Sequence, residues 1–305
     1  MMEPLALAVT FALFAAFAYL WTSVLYSTLR KKQNFWTSLY AKLFALFSLL
    51  LFFLLLLYAF FIEPRRLTLS ETEIKLNLKT EIESEVRIAH ISDLHYEGDS
   101  VILEKILSVI REKRPDIVCI SGDYFNRVND SDVKDLRSFI ETLSKNCKAV
   151  LSVSGNWDEP LIMERLFENA PGNVFHDTFV YEYDGFSFVL LPFGFERFVG
   201  DFTLKAQKST VKILLTHSPD LADDPFVNKN FHLYLCGHTH GGQVRLPLVG
   251  APFFPSKTAR LYQSGLYRMK SGMFLYVNRG VGMTKLLPKL RLFSPPEISL
   301  IKLSY

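Results

Sequence analysis

Cysteine is scarce: there are 3 in 305 residues, Cys119, Cys147 and Cys236, an odd number with no CxxC spacing. That pattern excludes a disulfide framework and a thiolate zinc site. Cys119 and Cys236 stand in apolar runs, where the ordinary reading is a small buried residue of a core strand. No Gly-x-Ser-x-Gly occurs, so a serine nucleophile elbow is not indicated. Repeats and low-complexity tracts are missing outside two apolar runs near the N-terminus. A basic stripe is lacking as well. The formal charge is +3, but residues 1–66 hold six Lys/Arg against two Asp/Glu, which leaves 28 basic and 29 acidic residues beyond them. Nucleic-acid binding is dominated by phosphate neutralisation, so nucleic acid is set aside as a partner.

What is present argues for a folded chain: 49% of residues are apolar, with 14 Pro and 15 Gly. Leu5–Tyr26 and Leu43–Ile62 are free of charge. At about 1.5 Å per residue each can cross a hydrocarbon layer about 30 Å thick. A signal peptide is the rival reading of the first run, but it lacks a basic n-region and a second run follows. The expectation is a two-helix transmembrane hairpin over 1–66, with spans at 5–26 and 43–62, and a soluble domain over 67–305, in an integral cell-membrane protein. Arg30, Lys31, Lys32 and Lys42 in the connecting loop favour a cytoplasmic loop, whereas Arg65 and Arg66 directly after the second run oppose it. The side of the soluble domain stays open.

Ile74, Leu76 and Leu78 alternate as in an edge strand. Beyond them Val86–Ile91, Ile117–Ser121, Val150–Val153, Val211–Thr216 and Leu233–Cys236 read as strands. Helical spacing marks Val101–Lys113, Val133–Leu143 and Leu161–Asn169. Leu261–Leu266, Phe274–Asn278 and Ile298–Leu303 add late strands, so a second sheet is expected. Alternation of this kind means α/β layers.

Metal-type residues recur just past the strands: Asp93-Leu94-His95, Gly122-Asp123, Gly155-Asn156-Trp157-Asp158, His217 and Gly237-His238-Thr239-His240. In open α/β sheets the carboxyl ends of strands face a common crevice, so five such loops can build one site. Asp93, His95, Asp123, Asn156, His217, His238 and His240 are too many ligands for one tetrahedral ion and suit two divalent ions bridged by a carboxylate. Two carboxylates against two such cations leave the centre positive, which draws anions. Imidazole and carboxylate without thiolate point to manganese, iron or zinc rather than to calcium and do not choose among the three; manganese is the metal expected first. Each cluster alone is a weak signal; the ordered set of five is strong.

With Ser92-Asp93-Leu94-His95, Ser121-Gly122-Asp123, Gly155-Asn156-Trp157-Asp158, Thr216-His217 and Gly237-His238-Thr239-His240-Gly241-Gly242-Gln243, the chain from about Val86 onward resembles the calcineurin-like metallophosphoesterases. The resemblance implies a double β-sheet sandwich flanked by helices. It implies that Asp93, His95 and His240 hold one metal, Asn156, His217 and His238 the other, and that Asp123 bridges both. The nucleophile would be a hydroxide held by the metals, attacking phosphorus in line. Asp123, Asn156 and His238 are the candidate catalytic residues, and Asn156 and Gln243 the candidate substrate contacts. Arg279-Gly280-Val281-Gly282 and Pro295-Pro296-Glu297-Ile298 look like the branch that is often membrane-attached.

One position departs from the family: Trp157 stands where a His is thought to protonate the leaving oxygen. An indole N–H cannot supply that proton. The expected substrate is therefore a phosphoanhydride or an ester with an acidic leaving group, and an amphiphilic one because the bilayer is close. UDP-2,3-diacylglucosamine pyrophosphatases of lipid A synthesis resemble the chain in lacking that His. The rival within the class is a broad phosphoesterase acting on envelope or soluble esters. A membrane scaffold that has lost catalysis is the rival outside it, and a transporter fails because no polar run lies within the spans. Asp158 is expected to orient its loop, and Gly241 and Gly242 to let the backbone pass close to the site. Lys285, Lys289 and Arg291 are expected on a solvated face or a membrane-facing loop, and His90, His176 and His232 in structural roles.

Overall fold

Along β2 (Glu85–Ile91), Val86 and Ile88 face one way, Ala89 and Ile91 the other, and all four are fully buried. A strand covered on both faces belongs to the middle of a layered structure. The computed structural model describes residues 39–78, 84–168, 179–195, 211–246, 250–252, 254–284 and 289–305, with Trp21, Thr22, Tyr26 and Val199 besides.

Two sheets form the centre. The first joins β1 (Thr68–Lys75), β11 (Glu297–Ser304), β2, β3 (Ile117–Ile120) and β4 (Ala149–Ser152) in that order. The second joins β5 (Phe179–Tyr183), β6 (Phe186–Leu190), β7 (Val211–Leu215), β8 (Leu233–Cys236), β10 (Phe274–Val277) and β9 (Gly265–Arg268). Strands β2, β3 and β4 are mutually parallel, as are β6, β7, β8 and β10, so their carboxyl ends gather at one rim. Inward residues of both sheets, among them Ile88, Cys119, Phe188, Ile213 and Leu235, form one shared core. The outer face of the first sheet is covered by α2 (Ser100–Lys113), α3 (Asp130–Ser144) and α4 (Pro160–Phe167). Val227 of α5 (Pro225–Asn230) packs on the outer face of the second. This is the mixed α/β, two-sheet arrangement that the sequence implied.

The strand expected at Leu261–Leu266 is displaced to Gly265–Arg268. Ser256 accepts the Ala259 N–H at 3.0 Å and starts the helix α6 (Lys257–Leu261), and β9 begins only at Gly265, whose φ of +90° turns the chain. The hairpin β5–β6 was missed. Its turn is Asp184-Gly185, both residues at positive φ, an Asp-Gly signal that is legible between apolar runs.

Among the described residues one helical run, Lys42–Arg65, is long and apolar enough to cross a membrane. It takes in α1 (Leu39–Leu57) from Lys42 onward, a π-helical turn (Tyr58–Ile62) and a 3-10 turn (Glu63–Arg65). Its flank is exposed, Phe47 at 63% for instance. The expected span at 5–26 lies outside the described residues apart from the helical Trp21, Thr22 and Tyr26, and Arg30, Lys31, Lys32, His176 and Lys285 lie outside them too. A hairpin is therefore not shown.

Arg291 corrects the reading of the basic segment. It is fully buried, and its guanidinium donates to the carbonyls of Ser294, Arg279, Gly280 and Gly282 at 2.5–3.2 Å. Four main-chain oxygens around its two terminal nitrogens make burial of the charge tolerable. Lys289 remains exposed and pairs with Glu97.

Candidate metal centre

Asp93, Asp123, Asn156, His217 and His238 each follow a strand, respectively β2, β3, β4, β7 and β8. The parallel strand ends of both sheets thus meet across the rim of the sandwich. Five of the seven candidate ligands have positive φ: Asp93 (49°), His95 (41°), Asp123 (58°), His238 (69°) and His240 (51°). Left-handed backbone costs a non-glycine residue about 1–3 kcal/mol, and such strain gathers at functional sites. The loops lie so close that Gly155 and Gly237 leave no room for a Cβ: one would strike Asp123, the other Ser92 and Asp93.

All seven side chains come together. One group consists of Asp93, His95 and His240, the other of Asp123, His217 and His238. Nε2 of His95 lies 3.2 Å from Nε2 of His240, and His240 Nε2 lies 3.5 Å from Oδ1 of Asp93. In the second group His217 Nε2 is 2.9 Å from His238 Nδ1 and 2.8 Å from Asn156 Oδ1. Asp123 Oδ2 stands between the groups, 3.5 Å from His95 Nε2 and 3.4 Å from His217 Nε2.

This donor set fits cations. His217 Nδ1 sits 2.7 Å from the carbonyl of Ser121, which accepts its N–H and leaves Nε2 of the neutral ring with a lone pair. That lone pair faces a second acceptor, the Asn156 oxygen, and two acceptors at hydrogen-bond distance need a cation between them, either a proton on Nε2 or a metal ion. A carbonyl on the far nitrogen is also the usual companion of a metal-ligating His. Oδ1 of Asp93 is buried without a hydrogen-bond partner, which is costly unless a cation takes its place.

Two of the imidazoles are held in the form a metal needs. Burial pushes His238 down to about 3, with His217 adding to the effect. Burial also pushes His240 well below the usual imidazole range, helped by His95. Both rings are therefore neutral, the ligand form. Burial pushes the Asp123 carboxyl up to about 7 against the pull of His217. For His217 burial works downward, but the Asp123 and Asp93 carboxylates outweigh it and the net shift is upward.

Asp158 takes the part expected of it. Its carboxylate accepts the N–H groups of Asp123 (2.8 Å), Gly155 (2.7 Å) and Tyr124 (2.8 Å), tying the second and third motif loops together. The Trp157 main-chain N–H donates to Asp123 Oδ1 at 2.9 Å, and the Trp157 ring stands edge-on to His95 at 6.0 Å. Trp157 lines a cavity of about 340 Å³ together with Asn156, His238, Gln243, Phe254 and Pro255. Gln243 borders that cavity while its Oε1 accepts the Thr284 N–H at 3.2 Å. Phe254 and Pro255 of the cavity wall, and Phe193, whose ring stands edge-on to His217, had no sequence signal, since nothing in their type or spacing marks a neighbour of the site.

Gly241 needs a different account from the one its motif suggested. At φ +60° a Cβ there would meet Ser294 and Arg279 rather than a candidate ligand. His90 is fully buried, with Nε2 2.9 Å from Ser121 Oγ. Nδ1 of His232 accepts the Lys212 N–H. Cys119 and Cys236 are free and buried.

The calcineurin-like phosphoesterase family matches residues 86–242. Phosphodiesterase YaeI of Escherichia coli (strain K12) is 32% identical over 235 residues, 71% of this chain and 82% of that one. The uncharacterized metallophosphoesterase YkuE of Bacillus subtilis (strain 168) is 29% identical over 266 residues, 81% and 88%. UDP-2,3-diacylglucosamine pyrophosphatase LpxG of Chlamydia muridarum (strain MoPn / Nigg) is 26% identical over 315 residues, 80% and 91%.

Proposed function

The chain belongs to the calcineurin-like phosphoesterase family, a metal-dependent hydrolase of phosphoric esters or anhydrides, and from that premise we propose that it cleaves the pyrophosphate bond of an amphiphilic substrate at a membrane surface. UDP-2,3-diacylglucosamine, named in the relative LpxG, is the specific candidate. Residues 1–66 act as a hairpin anchor and 67–305 as the catalytic domain. Asp93, His95 and His240 would hold one divalent ion, Asn156, His217 and His238 the other, with Asp123 shared and manganese the preferred metal. When bound, such a pair acidifies the attacking water and stabilises charge on the phosphoryl oxygens.

The remaining work falls to the chain itself. Asp158 holds the main chain of Asp123 and the Trp157 main-chain N–H fixes the Asp123 carboxylate, and the Ser121 carbonyl fixes the ring of His217. Trp157, Phe254 and Pro255 give the cavity an apolar wall that excludes water and suits a lipid-bearing substrate.

The observation that carries the substrate class is Trp157. Its indole can stack or pack but delivers no proton to a departing oxygen, so the leaving group must depart as a stable anion. Cleavage of an anhydride by water satisfies this, because both products are phosphate monoesters. The test is hydrolysis of UDP-diacylglucosamine beside a simple alkyl diester, in manganese and in chelator. Manganese-dependent release of UMP, with little diester turnover, supports the reading; fast turnover of the diester alone rejects it. The name of the relative YaeI favours a second reading, a phosphodiesterase of envelope or soluble esters, and the same assay separates the two.

A further inference from the structure

The apolar helix ends inside the catalytic fold. Phe60, Phe61 and Ile62 are exposed at 40–59%, yet Ala59 and Glu63 are buried at 1% and 0%. The widened π-helical turn, closed by the Glu63 N–H on the Tyr58 carbonyl, puts these two residues on one face. The Ala59 carbonyl accepts the Arg291 N–H at 3.0 Å. The Glu63 carboxylate accepts two more amides of the same segment, Phe293 at 2.9 Å and Ser294 at 2.5 Å.

That segment continues into the metal centre by two routes. Ser294 Oγ donates to the main-chain carbonyl of His240 at 2.9 Å. The Arg291 guanidinium holds the carbonyls of Gly280 and Gly282, and the amides of Val281 and Gly282 bond the carbonyls of Ser92 and Asp93 at 2.9 and 2.7 Å. Both routes end at the Asp93, His95 and His240 group.

We propose that Glu63 is a positioning residue, whose buried carboxylate fastens the end of the apolar helix to Arg291–Ser294 and thereby sets the main chain of His240. A carboxylate is an expensive way to dock an apolar helix, since a buried charge must be repaid by directed bonds. What it supplies, and an apolar contact would not, is the orientation of two amides. The helix and the first metal group are thus one rigid unit rather than an enzyme on a loose tether. The role in metal binding rests on the reading given above; the mechanical coupling does not.

The test uses the full chain in detergent micelles, with Glu63→Ala and Ser294→Ala. In chelator, amide hydrogen exchange of the peptide 240–245 should quicken at least about 10-fold in both variants, while β3 stays protected. In Ser294→Ala the helix end, 59–66, should keep its wild-type exchange. Hydrolysis of an activated aryl phosphate should need about 10-fold more Mn2+ in both, the usual scale for a lost partner of a ligand, and excess Mn2+ should restore the rate. A merely structural defect would not be rescued in this way. Wild-type exchange at 240–245 together with an unchanged Mn2+ requirement overturns the assignment. Should Glu63→Ala fail to fold, Ser294→Ala decides by the same two readouts. A wild-type chain with no Mn2+ requirement overturns the metal reading, and the exchange comparison still judges the coupling.

Discussion

Oδ2 of Asp123 lies 3.4 Å from Nε2 of His217, although the two residues come from strands of different sheets. The contact spans the seam of the sandwich. The same oxygen faces His95, so the site depends on the two sheets keeping their relative position.

Replacing Trp157 tests the leaving-group argument. Trp157→His puts an imidazole where a proton donor is useful, and a positioned general acid contributes about 10²–10⁴-fold. The rate on alkyl diesters should rise by a large part of that range and the rate on pyrophosphates by much less, as measured by kcat/KM on both substrates. Equal effects on the two would defeat the idea.

Asp158→Asn should loosen the second and third motif loops. An amide turns its NH2 group toward backbone donors that now meet a carboxylate oxygen, which costs about 1–3 kcal/mol. Metal affinity should fall about 10–100-fold with a lower melting temperature. Isothermal titration with Mn2+ showing wild-type affinity would contradict this role.

Acid stability has a definite sign. Burial holds His90 down to about 3 from an ordinary 6.5, so between those values the unfolded chain binds a proton that the folded chain refuses. Stability is therefore full above pH 6.5 and is lost as pH falls toward 3, at up to about 1.4 kcal/mol per pH unit for one such group. In chelator, His90→Gln should show a shallower fall in melting temperature between pH 6.5 and 4 than the wild type. Parallel curves for the two proteins would show that His90 is not the source.

Much of the site was legible because each motif couples a strand end to a ligand type. Asp93, Asp123 and His238 could be read from the apolar run before each of them, and parallel strands did the gathering. Glu63 and Arg291 could not be read, because their partners are main-chain amides and carbonyls, which leave no residue-type signal. A charged residue beside an apolar run looks like a membrane flank whether it is solvated or buried. The region 257–268 misled for a local reason: Ser256 caps a short helix in a stretch whose Leu and Tyr also suit a strand. Strands β5 and β6 were overlooked although Asp184-Gly185 marks their turn.

The most direct test is electron paramagnetic resonance of the manganese-loaded chain. Two ions sharing Asp123, about 3.5–4 Å apart as in two-metal sites, should give an exchange-coupled spectrum at two Mn2+ per chain, replaced by uncoupled Mn2+ in Asp123→Asn. Uncoupled Mn2+ in the wild type, or saturation at one ion, would contradict the shared centre.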